Sequence, residues 1–400
     1  MDKQTFRLTL PVLLLASPAA AQVALPSVPL PTGTLGRSIE RVTRVADPVL
    51  ADTGRTLAAV RESRLENLVR ANPKVLELTR EGYPARRGEV LIFGLGDIAL
   101  NGLRGLGFRV LDNETVEGLD ISVTRLQLPA GVRMRDAATL IERAAPGVQW
   151  TPDHVYEQAG RAPSAVAAKS DVAPIATRVG VIDGAPGRGL AVDASKGFAK
   201  GAPAASDHAS AIVSLLRRAG VRSVAVADVY GNDPAGGSAS AVARGLGWLV
   251  GNGAKVVTVS LVGPDNPLLS RAVAAARSKG VVIVAAVGND GPAAPPAYPA
   301  SYPGVVAVTG VDGRNRALIE AGRALHLDYA APGADITGAD ARGRLVKLRG
   351  TSFAAPLAAA RIAAAMGDDW KPVVDREAVD LGKKGADSVY GRGLLCGKCR

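Results

Sequence analysis

Four residues far apart in the chain have the types that acyl transfer requires. Asp183 ends the run RVGVID, His208 opens HASAIVSLLRR, Asn289 follows VVIVAAVG, and Ser352 stands in GTSFAAP. A serine hydroxyl is a weak nucleophile until a neighbouring base takes its proton. The base needs a carboxylate to orient it and to stabilise its cation, and the tetrahedral oxyanion needs fixed donors, which an asparagine amide supplies. Each residue also has a plainer reading. Asp183 caps a turn, His208 is structural, Asn289 is a turn residue, and Ser352 is a helix N-cap. The plain reading of Ser352 leaves Pro356 unexplained. A proline inside the following helix deletes one backbone hydrogen bond and strands a carbonyl one turn back, near Ser352.

The elements around these residues form a rhythm. From Arg178 onward, VGVID, VAVADV, VVTVSL, VVIVAAV and VVAVTG are short continuous apolar runs, the pattern of parallel strands buried on both faces. Between them lie helical segments such as HASAIVSLLRR, SASAVARGLGWLVGNG and PLLSRAVAAARSKG. The predicted fold class is α/β, a doubly wound mostly parallel sheet over 174–395. Functional residues of such sheets gather where strands end and helices begin, and the four candidates stand at such junctions.

Upstream, 88–157 reads as strand, helix, two strands about a polar turn, helix and last strand. This is a small α+β split-βαβ (ferredoxin-like) unit. Residues 158–173 are small and polar and read as an exposed linker. Residues 22–87 begin Pro-rich and continue with apolar positions at helical spacing over 36–71, ending at Asn72-Pro73. Their role is not legible. Residues 1–21 have the parts of a secretory signal: Lys3 and Arg7, the apolar core Leu8 to Ala16, and Ala19-Ala20-Ala21 as a small-residue cleavage site. That core is too short to span a bilayer, and no later stretch is long enough.

The formal charge is +11, yet the basic residues are scattered with little aromatic interleaving, so no nucleic-acid surface is expected. Cys396 and Cys399, in the CGKC tail spanning 396–400, are the only cysteines. In an exported protein they are expected to form a local disulfide with a small effect on stability. A redox motif would open a helix, and a zinc site would need two more ligands near in sequence.

Taken together, the motifs resemble the subtilisin-like serine proteases, the subtilase (peptidase S8) family. GTSFAAP matches every fixed position of that family's Gly-Thr-Ser-x-Ala-x-Pro, and Asp183, His208, Asn289 and Ser352 follow the family's order. AAVGNDG resembles the oxyanion-asparagine motif, YAAPGADI the run before the serine, and VVTVSLVGP the strand along which substrate pairs. The resemblance implies Asp183, His208 and Ser352 as the triad and Asn289 in the oxyanion hole. It implies Ser260, Leu261, Val262 and Gly263 as one wall of the substrate site and Ala286, Val287 and Gly288 as the other. It makes the 88–157 unit a propeptide, cut by the protein itself between about Glu157 and Ala173, and the enzyme an exported monomer acting on proteins or peptides. No cofactor is implied; family members often bind structural calcium, but no acidic cluster specifies a site here.

Three departures stand out. Gly184 follows the aspartate where the family has Ser or Thr, Ala209-Ser210 follow the histidine in place of Gly-Thr, and Val262 occupies a usual glycine position. A β-branched Val262 predicts a pocket that prefers Ala or Leu over Phe or Tyr just before the scissile bond. Three rival readings are an inactive binding protein that kept the fold, a sedolisin-type peptidase with a glutamate base, and a basic surface-binding protein in which catalysis is incidental. The first should have lost a triad member, and His208 and Asn289 argue against the second.

Overall fold

A computed structural model describes residues 56–160, 173–367 and 369–399. The expected signal segment 1–21, the Pro-rich stretch after it and most of the expected linker lie outside these residues. So does the first part of the helical segment.

The chain enters as a helix over 56–71 (α1), which ends where the Asn72 side-chain amide donates to Leu68 O at 3.0 Å. Next come β1 (Leu76–Leu78), β2 (Pro84–Ile92), α2 (Asp97–Gly105), β3 (Arg109–Val116), β4 (Ile121–Gln127), α3 (Ala137–Ala144) and β5 (Trp150–His154). The strands form an antiparallel sheet in which β2 is flanked by β4 and β5, and β3 lies outside β4. That is the split-βαβ arrangement. Its boundary differs from the expected residue 88: β2 begins at Pro84, and β1 adds a short strand before it, with Leu76 fully buried. The charged stretch TREGYPARRG, which runs from the end of β1 into β2, hid their apolar pattern.

A two-residue strand, β6 (Glu157–Gln158), follows. The second layer system contains β7 (Val179–Asp183), β8 (Ala194–Gly197), α4 (Asp207–Arg218), β9 (Val224–Asp228), α5 (Ala239–Gly251), β10 (Val256–Val259), β11 (Leu261–Val262), α6 (Pro267–Ser278) and β12 (Val282–Ala286). After these come β13 (Val306–Val311), β14 (Tyr329–Pro332), the hairpin β15 (Ala334–Ala339) and β16 (Leu345–Arg349), α7 (Thr351–Ala364) and α8 (Trp370–Glu377). Seven parallel strands pair in the order β14-β13-β12-β10-β7-β9-β8.

The apolar runs are continuous because alternate residues feed two cores. Val179 and Val181 pack with residues of α4 and α7 on one face, while Ile182, Val257 and Ile283 pack with α5 and α6 on the other. Helix α7 is buried along nearly its whole length, so its sequence is alanine-rich with no polar stripe. The tail docks through Leu394, which pairs with Val379, and the Cys396–Cys399 disulfide closes it.

Candidate active site

Strand β7 delivers Asp183 to the carboxyl edge of the sheet, fully buried. Helix α4 presents His208 in its first turn, where Ser206 Oγ accepts the Ala209 N–H. The imidazole Nδ1 lies 2.8 Å from Asp183 Oδ2. The other carboxylate oxygen accepts the Gly184 N–H at 2.8 Å and the Gln158 side-chain amide at 2.9 Å. Gln158 thus supplies the donor that a hydroxyl at position 184 would have offered. Serine would not fit there, because a Cβ on Gly184 would lie 2.8 Å from Ser206 Cβ. The same Cβ would lie 3.8 Å from Ala209 Cβ, an ordinary contact, so it is Ser206 and not Ala209 that excludes a side chain at 184.

Ser352 opens α7, fully buried, and Phe353 beside it packs obliquely on the His208 ring at 5.3 Å between centroids. Among the described residues, Ser352 Oγ and His208 Nε2, both buried, find no hydrogen-bond partner. The serine–histidine bond is therefore not closed. Buried polar atoms are ordinarily paired, so each orphan in this site calls for a reason.

Pro356 now has a role. It cannot donate to Ser352 O, and that carbonyl instead accepts the Ser260 hydroxyl at 2.9 Å. Asn289 is oriented by the same helix start. Its Oδ1 accepts the Thr351 N–H at 3.0 Å, which leaves Nδ2 free to donate into the cleft. Thr351 Oγ donates to Gly288 O at 3.1 Å and ties the two segments together.

The cleft is occupied by the chain itself. Strand β6 pairs antiparallel with β11, Gln158 opposite Leu261 and Glu157 opposite Val262. The Ala159 N–H donates to Ser260 O at 3.1 Å. The Ala159 carbonyl accepts the Ser352 N–H at 3.1 Å and the Asn289 side-chain amide. Gly160 lies against the serine: a Cβ there would be 3.2 Å from Ser352 Oγ. The expected exposure of 158–173 is thus corrected at its start, since Gln158 is half-buried and Ala159 buried, drawn in by pairing with β11.

The remaining candidates of the substrate walls fall around this strand. Gly263 pairs its backbone with Tyr298 and leaves space for the Tyr156 ring, which a Cβ would strike at 2.4 Å. Tyr156 is fully buried and donates to Pro264 O at 2.7 Å. Val262 faces inward: its Cγ1 lies 3.2 Å from where a Cβ on Gly288 would project. Ala286 and Val287 are buried behind it. Sequence reasoning missed the roles of Gln158, Ala159 and Gly160, as well as the pairing of Ser260 with Pro356. The stranded carbonyl before Pro356 was the one available signal, and it did not name its donor.

Residues 201–393 match the model of the subtilase family, a range that includes His208, Asn289 and Ser352 and begins after Asp183. The chain is 33% identical over 215 residues to subtilisin Savinase of Lederbergia lenta, covering 50% of this chain and 80% of that protein. It is 33% identical over 167 residues to minor extracellular protease Epr of Bacillus subtilis (strain 168), covering 40% of this chain but only 26% of that protein. Among solved structures it resembles fervidolysin from Fervidobacterium pennivorans, described as a keratinolytic enzyme related to subtilisin, with a TM-score of 0.64 and 17% identity. That likeness covers 81% of this chain and 62% of the other, and it is one of fold.

Proposed function

The chain belongs to the subtilase family of serine peptidases, and from that premise we propose that it is an exported endopeptidase made as a self-inhibited precursor. Ser352 is the nucleophile, His208 the general base and Asp183 the residue that holds the imidazole. The Ser352 N–H and the Asn289 amide form the oxyanion hole. His208 Nε2 takes the hydroxyl proton as Ser352 Oγ attacks a peptide carbonyl. The imidazolium then protonates the leaving amine, and water hydrolyses the acyl-enzyme with His208 again as base.

The observation that supports this reading is the Ala159 carbonyl, received by the two donors that an oxyanion would need. Tyr156 to Ala159 then stand as a substrate strand, and Ala159–Gly160 is the bond the protein cuts in itself. Residues 56–159 act as propeptide. An alanine before the scissile bond, with Val262 closing on Gly288, supports a narrow pocket that favours Ala or Leu over Phe or Tyr. Export is supported by the signal-like residues 1–21 and by the extracellular relative.

The test is hydrolysis of unstructured peptides together with labelling by a serine-directed phosphonate. Ser352→Ala should lose both, with any residual rate roughly four or more powers of ten below wild type. Asn289→Ala should cost less, on the order of 10²–10³ in kcat. Unchanged hydrolysis in Ser352→Ala would end this reading.

A further inference from the structure

Helix α1 was the segment whose role the sequence did not disclose. It lies across the cleft and carries Arg61 and Arg64. The Arg64 guanidinium grips both oxygens of Glu157, at 3.1 and 2.9 Å. Its far side reaches Asp290, at 3.0 Å to Oδ1 and 3.4 Å to Oδ2. Arg61 Nε adds a contact to Asp290 Oδ2 at 3.3 Å. One guanidinium therefore stands between two carboxylates, with a second cation on the outer one.

The positions of those carboxylates give the cluster meaning. Glu157 is the third residue before the proposed scissile bond, and Asp290 adjoins Asn289. Among the described residues, every side-chain partner of the Asp290 carboxylate belongs to α1. Asp290 itself belongs to the catalytic part of the chain and is mostly shielded, its side chain 17% exposed. When the propeptide leaves, it takes both cations away. Asp290 then faces the third substrate position without a counter-charge, and a carboxylate arriving there would meet it as a like charge.

We infer that Asp290 selects the third residue before the scissile bond, favouring Arg or Lys over Glu or Asp, and that the chain's own Glu157 is accepted because α1 brings Arg64 with it. This rests on the reading of Glu157 to Ala159 as a substrate strand. A substrate arginine would place its guanidinium where Arg64 now lies and form the same charge-assisted bonds with Asp290. A lysine would satisfy it as a point charge, with less geometric advantage. The released propeptide loses this compensation as soon as α1 frays or is digested. It then sets acid against acid and becomes a weak product inhibitor.

The measurement uses full-length chain that has folded, processed itself and been freed of its propeptide. Peptides Tyr-Xaa-Gln-Ala-Gly, with Xaa as Arg, Lys, Gln or Glu, are compared by kcat/KM. The Arg peptide should exceed the Glu peptide by on the order of tenfold at low salt, with Gln between them and the ratio shrinking as salt rises. Asp290→Asn should bring the Arg-to-Glu ratio near one, whichever way the absolute rates move. In the precursor, Arg64→Gln should slow self-cleavage, and Glu157→Gln in the same chain should restore it. Equal rates for Arg and Glu peptides, or a ratio that survives Asp290→Asn, would overturn the inference while leaving the endopeptidase intact. Hydrolysis of none of the peptides would overturn the endopeptidase reading and this inference with it.

Discussion

Pro356 removes an N–H from the first turns of α7, and Ser260 supplies the missing donor from just before β11, the strand that pairs with β6. One hydroxyl thus couples the Ser352 backbone to the strand that pairs with β6. Ser260→Ala would leave a buried carbonyl unpaired, a change that typically costs about 1–3 kcal/mol, and chemical denaturation of the Ser352→Ala background would read it without interference from self-digestion. Gly160 is constrained by space. A methyl there would press on Ser352 Oγ at 3.2 Å and on the Phe353 ring at 3.1 Å. Gly160→Ala should therefore slow self-cleavage roughly tenfold or more through misplacement of the scissile carbonyl, measured as the rate of precursor loss. An unaltered rate would mean that Gly160 does not meet the serine during reaction.

At the scale of elements, β5 of the split-βαβ unit caps two helices of the doubly wound part. Asp153 accepts the Ser240 N–H at 3.0 Å and its hydroxyl at 2.8 Å, at the start of α5. Asn266, the N-cap of α6, donates to Thr151 Oγ, and its amide lies 3.1 Å from His154 Nδ1. Burial pushes the Asp153 carboxyl up to about 6, against the pull of its Ser240 bonds, and pushes His154 down to about 4. The two have opposite consequences. His154 withdraws stability as pH falls from about 6.5 through 4, because the unfolded chain then binds a proton that the folded one refuses. Asp153 withdraws stability as pH rises from 3.8 through about 6, where the folded chain keeps a proton that the unfolded one releases. The wild-type precursor should be nearly level across that window. Asp153→Asn retains an acceptor for Ser240 but removes the opposing titration. Its stability should fall toward pH 4 by up to about 3 kcal/mol relative to neutral pH, measured by denaturant midpoints in the Ser352→Ala background. A variant as level as wild type would show that His154 is not held neutral.

The same scale explains what the sequence disclosed. Strands β7, β9, β10, β12 and β13 were legible because burial on both faces forces unbroken apolar runs. Strand β8, ASKG, was not, because it is a short edge strand with exposed charge. Strand β1 and the start of β2 were missed because β1 is only three residues long with a buried Glu77 that accepts the Gly88 N–H, and Arg86 and Arg87 interrupt the start of β2. The triad types and Asn289 were legible through local motifs. Gln158 was not, because its partner Asp183 lies 25 residues away and is brought near only by the pairing of β6 with β11.

At the scale of the whole molecule, the split-βαβ unit and the doubly wound part meet at the cleft through β6 and β11, and in the proposed reading the segment that inhibits is also the first substrate. The account's central claim is that Ser352 cuts the Ala159–Gly160 bond of its own chain. Intact-mass analysis with N-terminal sequencing tests it on wild type and Ser352→Ala, each purified away from other proteases. Wild type should yield a new N-terminus at Gly160, and Ser352→Ala should keep this bond whole. Cleavage there to the same extent in Ser352→Ala, or a wild-type chain first cut elsewhere while Ala159–Gly160 stays whole, would contradict it.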